Sequence, residues 1–172
     1  SLKSKFPLND LIHSGNTIKS DVGLFTSLFS QNGDAYLLNT KYNPKYSAKL
    51  VYTGKMMCSP IAVKNNLLYS TIRQRNRAIL IVMNSTFQVT DSLSCPHLSQ
   101  GVFLKDELFA IRRHTINNNM FVHDKQGHWN SYTCPVNPSF IAEIKDGICI
   151  SGNNQSNDME LYSYDQSAHN LQ

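Results

Sequence analysis

A turn signal recurs along this chain at close to forty residues, and that spacing limits the possible folds more than any other feature. Asn32-Gly33, Asn65-Asn66, Asp106-Glu107 and Asp146-Gly147 follow one another at 33, 41 and 40 positions. A short apolar run precedes each turn, and a second follows at 35–38, 67–70, 108–111 and 148–151. A polar loop comes next, then a third run around 49–52, 78–82, 120–123 and 159–164. Cysteines add another mark: Cys58-Ser59-Pro60, Cys95-Pro96 and Cys134-Pro135 lie 37 and 39 residues apart, and each is expected to open the first strand of a unit. Two later turns also match, because Asp124 and Asp165 each have a histidine four residues on, at His128 and His169. Fourth strands are expected at 87–94 and 129–133. The units run over about 14–57, 58–94, 95–133 and 134–172, with a leading fourth-type strand at 6–13.

Everything else about the chain agrees with short strands. It is rich in Asn (18) and Ser (19), which favour turns over helix interiors, and its apolar residues alternate in brief runs rather than at helical spacing. With 41% hydrophobic and 16% charged residues it is too apolar to be disordered. At 172 residues it is long enough to bury a substantial core. The predicted class is all-β, as one repeat domain over residues 1–172. Four antiparallel strands per ~40 residues is the periodicity of a propeller blade. The chain therefore resembles a β-propeller, or a segment of one, from about residue 6 onward. The alternative is a β-sandwich of similar hairpins. The resemblance is one of architecture. The chain has no Trp-Asp ending and no Gly-Gly pair, and the spacing of Asp124, Gly127 and Trp129 departs from the sialidase-type Asp box. No family's function carries over. Four repeats either close a ring or belong to a longer propeller.

Blade topology sorts the charges. Loops joining second to third strands share one rim with the connections between blades, and the tight hairpins occupy the other. On this reading the hairpin rim is nearly balanced. The opposite rim collects Lys41, Lys45, Lys49, Arg73, Arg75, Arg77, Arg112 and Arg113, with His13, His97 and His114 nearby. The net charge of +4 is thus concentrated at one end, suited to an anionic partner, with arginine able to grip carboxylate or phosphate through two bonds. The function this implies is a non-enzymatic binding module. It engages a protein, or another acidic, phosphate-bearing or glycan ligand, through Lys45, Arg73, Arg75, Arg77, His97, Arg112, Arg113 and His114. The alternative is a carbohydrate-binding lectin or a glycan-processing enzyme, with Trp129 as the residue on which a sugar would stack. Self-association, or packing against further blades, is the third expectation.

The sequence contains no glycine-rich phosphate loop, no His-Glu-x-x-His and no Cys-x-x-Cys, so it offers no catalytic set, metal site or cofactor. Asp124 is expected to cap its turn rather than ligate a metal with His123 and His128. Cys58, Cys95, Cys134 and Cys149 are expected to be reduced, because equivalent positions on neighbouring blades exceed the ~7 Å reach of a disulfide. Reduced thiols and the lack of an apolar signal segment at residues 1–7 suggest a cytoplasmic setting. The charge is too mild for a nucleic-acid partner, and no run of 18 apolar residues suggests membrane insertion. Asn84-Ser85-Thr86 and Asn154-Gln155-Ser156 fit the glycosylation pattern, at a frequency that composition alone accounts for.

Overall fold

The computed structural model describes residues 11–20, 23–30, 35–41, 47–54, 58–73, 77–84, 86–115, 117–145, 147–165 and 170–171. The described residues are all-β, without a helix, and form four antiparallel sheets of four strands. The first sheet comprises β1 (Leu11–Ser20), β2 (Gly23–Ser30), β3 (Ala35–Lys41) and β4 (Ser47–Gly54). The second comprises β5 (Cys58–Lys64), β6 (Leu67–Arg73), β7 (Ala78–Met83) and β8 (Val89–Cys95). The third has β9 (Gln100–Leu104), β10 (Glu107–Ile111), β11 (Met120–His123) and β12 (Trp129–Tyr132). The fourth has β13 (Asn137–Ile144), β14 (Gly147–Asn153), β15 (Met159–Asp165) and β16 (Asn170–Leu171). Each sheet is a meander, its strands paired in chain order. The chain divides into two compact units, Ser1–Cys95 with the first two sheets and Pro96–Gln172 with the last two. Each unit is described by itself.

The two-residue hairpins set the period. Asn65 and Asn66, with φ of 51° and 61°, form the doubly positive turn that matches strand twist, and Lys64 pairs with Leu67 around them. Leu104 pairs with Glu107 around 105–106, and Ile144 with Gly147 around 145–146, so the interval is forty residues both times. The expected Asp106-Glu107 turn thus lies one residue earlier, at 105–106, where Lys105 takes φ of 54°. This register brings Val102, Leu104, Phe109 and Ile111 to one face; a slip of one residue would divide them between two.

The first sheet is out of phase with the sequence reading. Asn32-Gly33 separates β2 from β3, whereas the other turns join first and second strands. Leu11–Ser20 is a first strand that pairs with β2, in place of a fourth-type strand at 6–13. The short interval of 33 recorded the slip, since a turn signal does not reveal which pair of strands it connects. The β3–β4 connection, where Lys45 falls in the sequence, lies outside the described residues. Cysteine register also differs: Cys95 ends β8 and Cys134 follows β12, but Cys58 starts β5 itself.

A second loop type recurs unexpectedly. Asn84, Asp124 and Asn154 each begin a five-residue hairpin loop in which the side-chain oxygen accepts the N–H groups two and four positions on. In each, the fourth residue has positive φ and donates its N–H back to the first: Phe87 (64°), Gly127 (86°) and Asn157 (67°). Asp124 accordingly caps a turn. Its carboxyl is held below the usual range, first by the His128 N–H and also by Asn130 and the Gln126 N–H. His128 Nδ1 lies 3.8 Å from it. The asparagines of both glycosylation-like tripeptides serve as caps as well.

Within each unit, sheets pack face to face. In the first, Phe25 meets Phe87 edge-on (5.9 Å, 89°) over Leu68, Ile81 and Met83. In the second, Leu104, Phe109, Ile111, Met120 and Val122 of the third sheet pack on Ile141, Ile148, Ile150 and Tyr164 of the fourth. Burying such side chains stabilises the fold by roughly 1.5–3 kcal/mol each. Cys95, Cys134 and Cys149 are free thiols; burial raises the first to about 12 and the second to about 11.

Candidate binding site

In the second unit, four short segments converge at the loop end. They are the β10–β11 loop (112–119), the β12–β13 connection (133–136), the start of β13 and the β14–β15 loop (154–158). The β10–β11 loop is tied down by Asn119, which is fully buried and carries no charge that would oppose burial. Its side-chain nitrogen donates to the Thr115 carbonyl (3.1 Å) and the Val136 carbonyl (3.0 Å), and its oxygen accepts the Cys134 N–H (2.7 Å). One amide thus joins the loop to the next sheet's leading segment.

This anchoring presents Arg113. Its backbone N–H donates to Ser99 Oγ (3.1 Å), its Nε donates to the Ser139 carbonyl (2.9 Å), and Nη2 lies 3.5 Å from Gln100 Oε1. The guanidinium is therefore pinned across the third and fourth sheets. His114 follows with φ of 63°, and its N–H donates to Asn137 Oδ1 (3.0 Å). Together these residues border a cleft of about 250 Å³, lined by Arg113, His114, Asn137, Ser139, Asn153 and Asn157, with Pro138 and Asn154 completing it.

The far wall is preorganised. Asn153 donates to Asn157 Oδ1 (2.9 Å), and Asn154 donates to Glu160 Oε1 (2.6 Å). Tyr162 donates its hydroxyl to Glu160 Oε2 (2.6 Å). The Glu160 carboxyl is lowered chiefly by Tyr162, then by Asn154, and Tyr162 is correspondingly raised by that bond. The cleft itself therefore combines one fixed cation and an imidazole with several side-chain amides, a set able to bind carboxylate, phosphate or hydroxyl oxygens.

The structure separates the residues proposed from sequence. Arg113 and His114 line the cleft, and Arg112, half-buried, precedes them, its N–H donating to the Asn119 carbonyl (2.9 Å). His97 lies half-buried in the same unit, in the connection that leads into β9. Arg73 and Arg77 are exposed at the β6–β7 loop of the first unit. Arg75 and Lys45 lie outside the described residues, as does His169. Trp129 begins β12, at the opposite end of the third sheet from Arg113. Its ring packs on His123 (4.8 Å), and its Nε1 is buried without a hydrogen-bond partner among the described residues. Charge sorting found the cation of the cleft. It missed Asn119 and the asparagines of the wall, whose only sequence signal was an excess of Asn shared with every turn.

Among the described residues, no group of three His, Cys, Asp or Glu side chains is placed to hold a metal ion. No helix there is long and apolar enough to cross a membrane. No protein-family model and no curated protein matches the chain.

Proposed function

We propose that this chain is a non-enzymatic binding module, built on propeller-type blades, that recognises an anionic protein partner. The observation that carries this reading is the fixed guanidinium of Arg113 at the mouth of an amide-lined cleft. A partner's Asp or Glu side chain would take paired bonds from the arginine, and the Asn amides would hold the adjoining backbone. Because Nε is committed to Ser139 and one Nη2 hydrogen faces Gln100, Nη1 and the second Nη2 hydrogen are the donors offered to the ligand. Arg73 and Arg77, exposed in the first unit, contribute to the net charge of +4 that draws an acidic partner at long range.

Binding to an array of acidic, neutral and basic peptides tests the proposal. Acidic peptides are expected to bind selectively and to weaken with salt, and Arg113→Lys is expected to reduce affinity about tenfold by removing the planar fork. Joint substitution of Arg73, Arg75 and Arg77 by glutamine is expected to lower the association rate. Indifference to peptide charge would reject the reading. The Asn-rich wall favours one other ligand, a glycan. A glycan array showing Asn157-dependent binding, with no acidic-peptide signal, would establish that alternative.

A further inference from the structure

Resting on the reading of the second unit's cleft as the partner-binding site, we propose that its ligand is a phosphate monoester carried on a serine or threonine of the partner protein. Hydrogen bonds within the cleft wall decide which atoms are left to face a ligand. Asn137 accepts the His114 N–H at Oδ1, and Asn157 accepts the Asn153 side chain at Oδ1. With their oxygens engaged, both amides present their Nδ2 groups. Arg113 presents Nη1 and the second Nη2 hydrogen, since Nε donates to the Ser139 carbonyl and the other Nη2 hydrogen faces Gln100.

Other lining groups extend this set. The His114 imidazole carries an N–H in either neutral tautomer, and the Ser139 hydroxyl can donate as well. Asn153, which donates through its nitrogen, presents an oxygen and is the counterweight. No Asp or Glu lines the cleft. The Glu160 carboxylate accepts Asn154 at one oxygen and Tyr162 at the other, so its charge is held by donors of its own. Donors therefore outnumber acceptors around the cleft, and they surround a fixed positive charge.

That surplus separates the ligands an arginine can grip. A carboxylate has two oxygens, and the guanidinium fork satisfies both, leaving the Asn137 and Asn157 amides unused. A phosphate monoester brings three acceptor oxygens and a charge of about −1.5 to −2. Two of its oxygens take the fork, and the third takes the amide donors. A sugar hydroxyl donates as well as accepts, and the oxygens of Asn137 and Asn157 that could receive it are occupied. The donors are also held in place before binding. Arg113 is pinned by Ser139, and the Asn154 side chain caps the loop that carries Asn157, so the ligand orders little.

The test presents the whole chain with immobilised peptides that have randomised flanks and a fixed central phosphoserine, beside matched sets carrying glutamate or serine. The phosphoserine set is expected to bind at least about tenfold more tightly than the glutamate set, as one further charge-assisted hydrogen bond provides, with the serine set at background. Inorganic phosphate is expected to displace it. Asn157→Gly suits the positive φ of that position and is expected to lower phosphoserine binding to the glutamate level while leaving the glutamate set unchanged. Equal binding of the two sets, lost in Arg113→Lys, would overturn the phosphate assignment and leave the acidic-partner reading standing. Retention of no set would overturn both. Calorimetric binding of inorganic phosphate with no peptide retained would make free phosphate the ligand and overturn the partner assignment. A phosphoserine preference that survives both variants would place the phosphate outside the cleft and overturn the proposal as well.

Discussion

The rings of Phe25 and Phe87 meet edge-on at 5.9 Å, joining the first two sheets, although Phe87 holds φ of 64° in a position made for glycine. A bulky residue in this region is strained, by about 1–2 kcal/mol. Phe87 is nonetheless 8% exposed, buried in a cluster with Phe25, Leu68, Ile81 and Met83.

The strain and the burial can be measured apart. Phe87→Ala is expected to lose about 3–5 kcal/mol of stability in urea denaturation, since it removes the ring and retains the strained backbone. Phe87→Gly loses the same ring but relieves the strain, and is expected to be about 1 kcal/mol more stable than the alanine variant. The reverse order would show that the loop relaxes without Phe87.

Asn119 offers the second prediction. Asn119→Ala leaves the Cys134 N–H and the Thr115 and Val136 carbonyls without their amide partner. A loss of about 2–4 kcal/mol is expected, with faster amide exchange at Cys134. Because the β10–β11 loop is released, ligand binding through Arg113 is expected to fall as well.

At Gly152, which pairs with Pro138, an added Cβ would overlap the Asn137 carbonyl. Gly152→Ala is expected to displace the start of β13 and destabilise the protein by about 1–3 kcal/mol. Asn137 also accepts the His114 N–H, so the cleft deforms with it. A crystal structure or amide chemical shifts at His114 would register the change.

Acid acts on the Asp124 turn. Its carboxyl lies below the ordinary value in the folded chain, mainly because the His128 N–H bonds the charged form. The resulting stabilisation is full above the unfolded value of about 3.9 and is lost as pH falls through the lower folded value. Asp124→Asn keeps a neutral acceptor of the kind Asn84 and Asn154 supply in the same loop. The variant's deficit in melting temperature relative to the unmodified chain is therefore expected to shrink between pH 5 and pH 2. A constant deficit across that range would separate the cap from the charge.

Strand content and turn spacing were legible because both depend on neighbours in the chain. An Asn-Asn pair tolerates positive φ wherever it lies, and a short unbroken apolar run rich in β-branched residues, such as Ala78–Met83, marks a strand without reference to its partners. The all-β class and the forty-residue interval follow from such local preferences, as does the presence of a cation at Arg113. Tertiary pairing decided what local preferences leave open. It made Leu11–Ser20 a first strand and set Asn32-Gly33 between β2 and β3, because a hairpin signal is the same for any two consecutive strands. It also chose Asn119, among many asparagines, as the buried tie that brings Arg113 to Ser139. Contacts between segments distant in sequence made that selection, and one strand of residues carries no record of them.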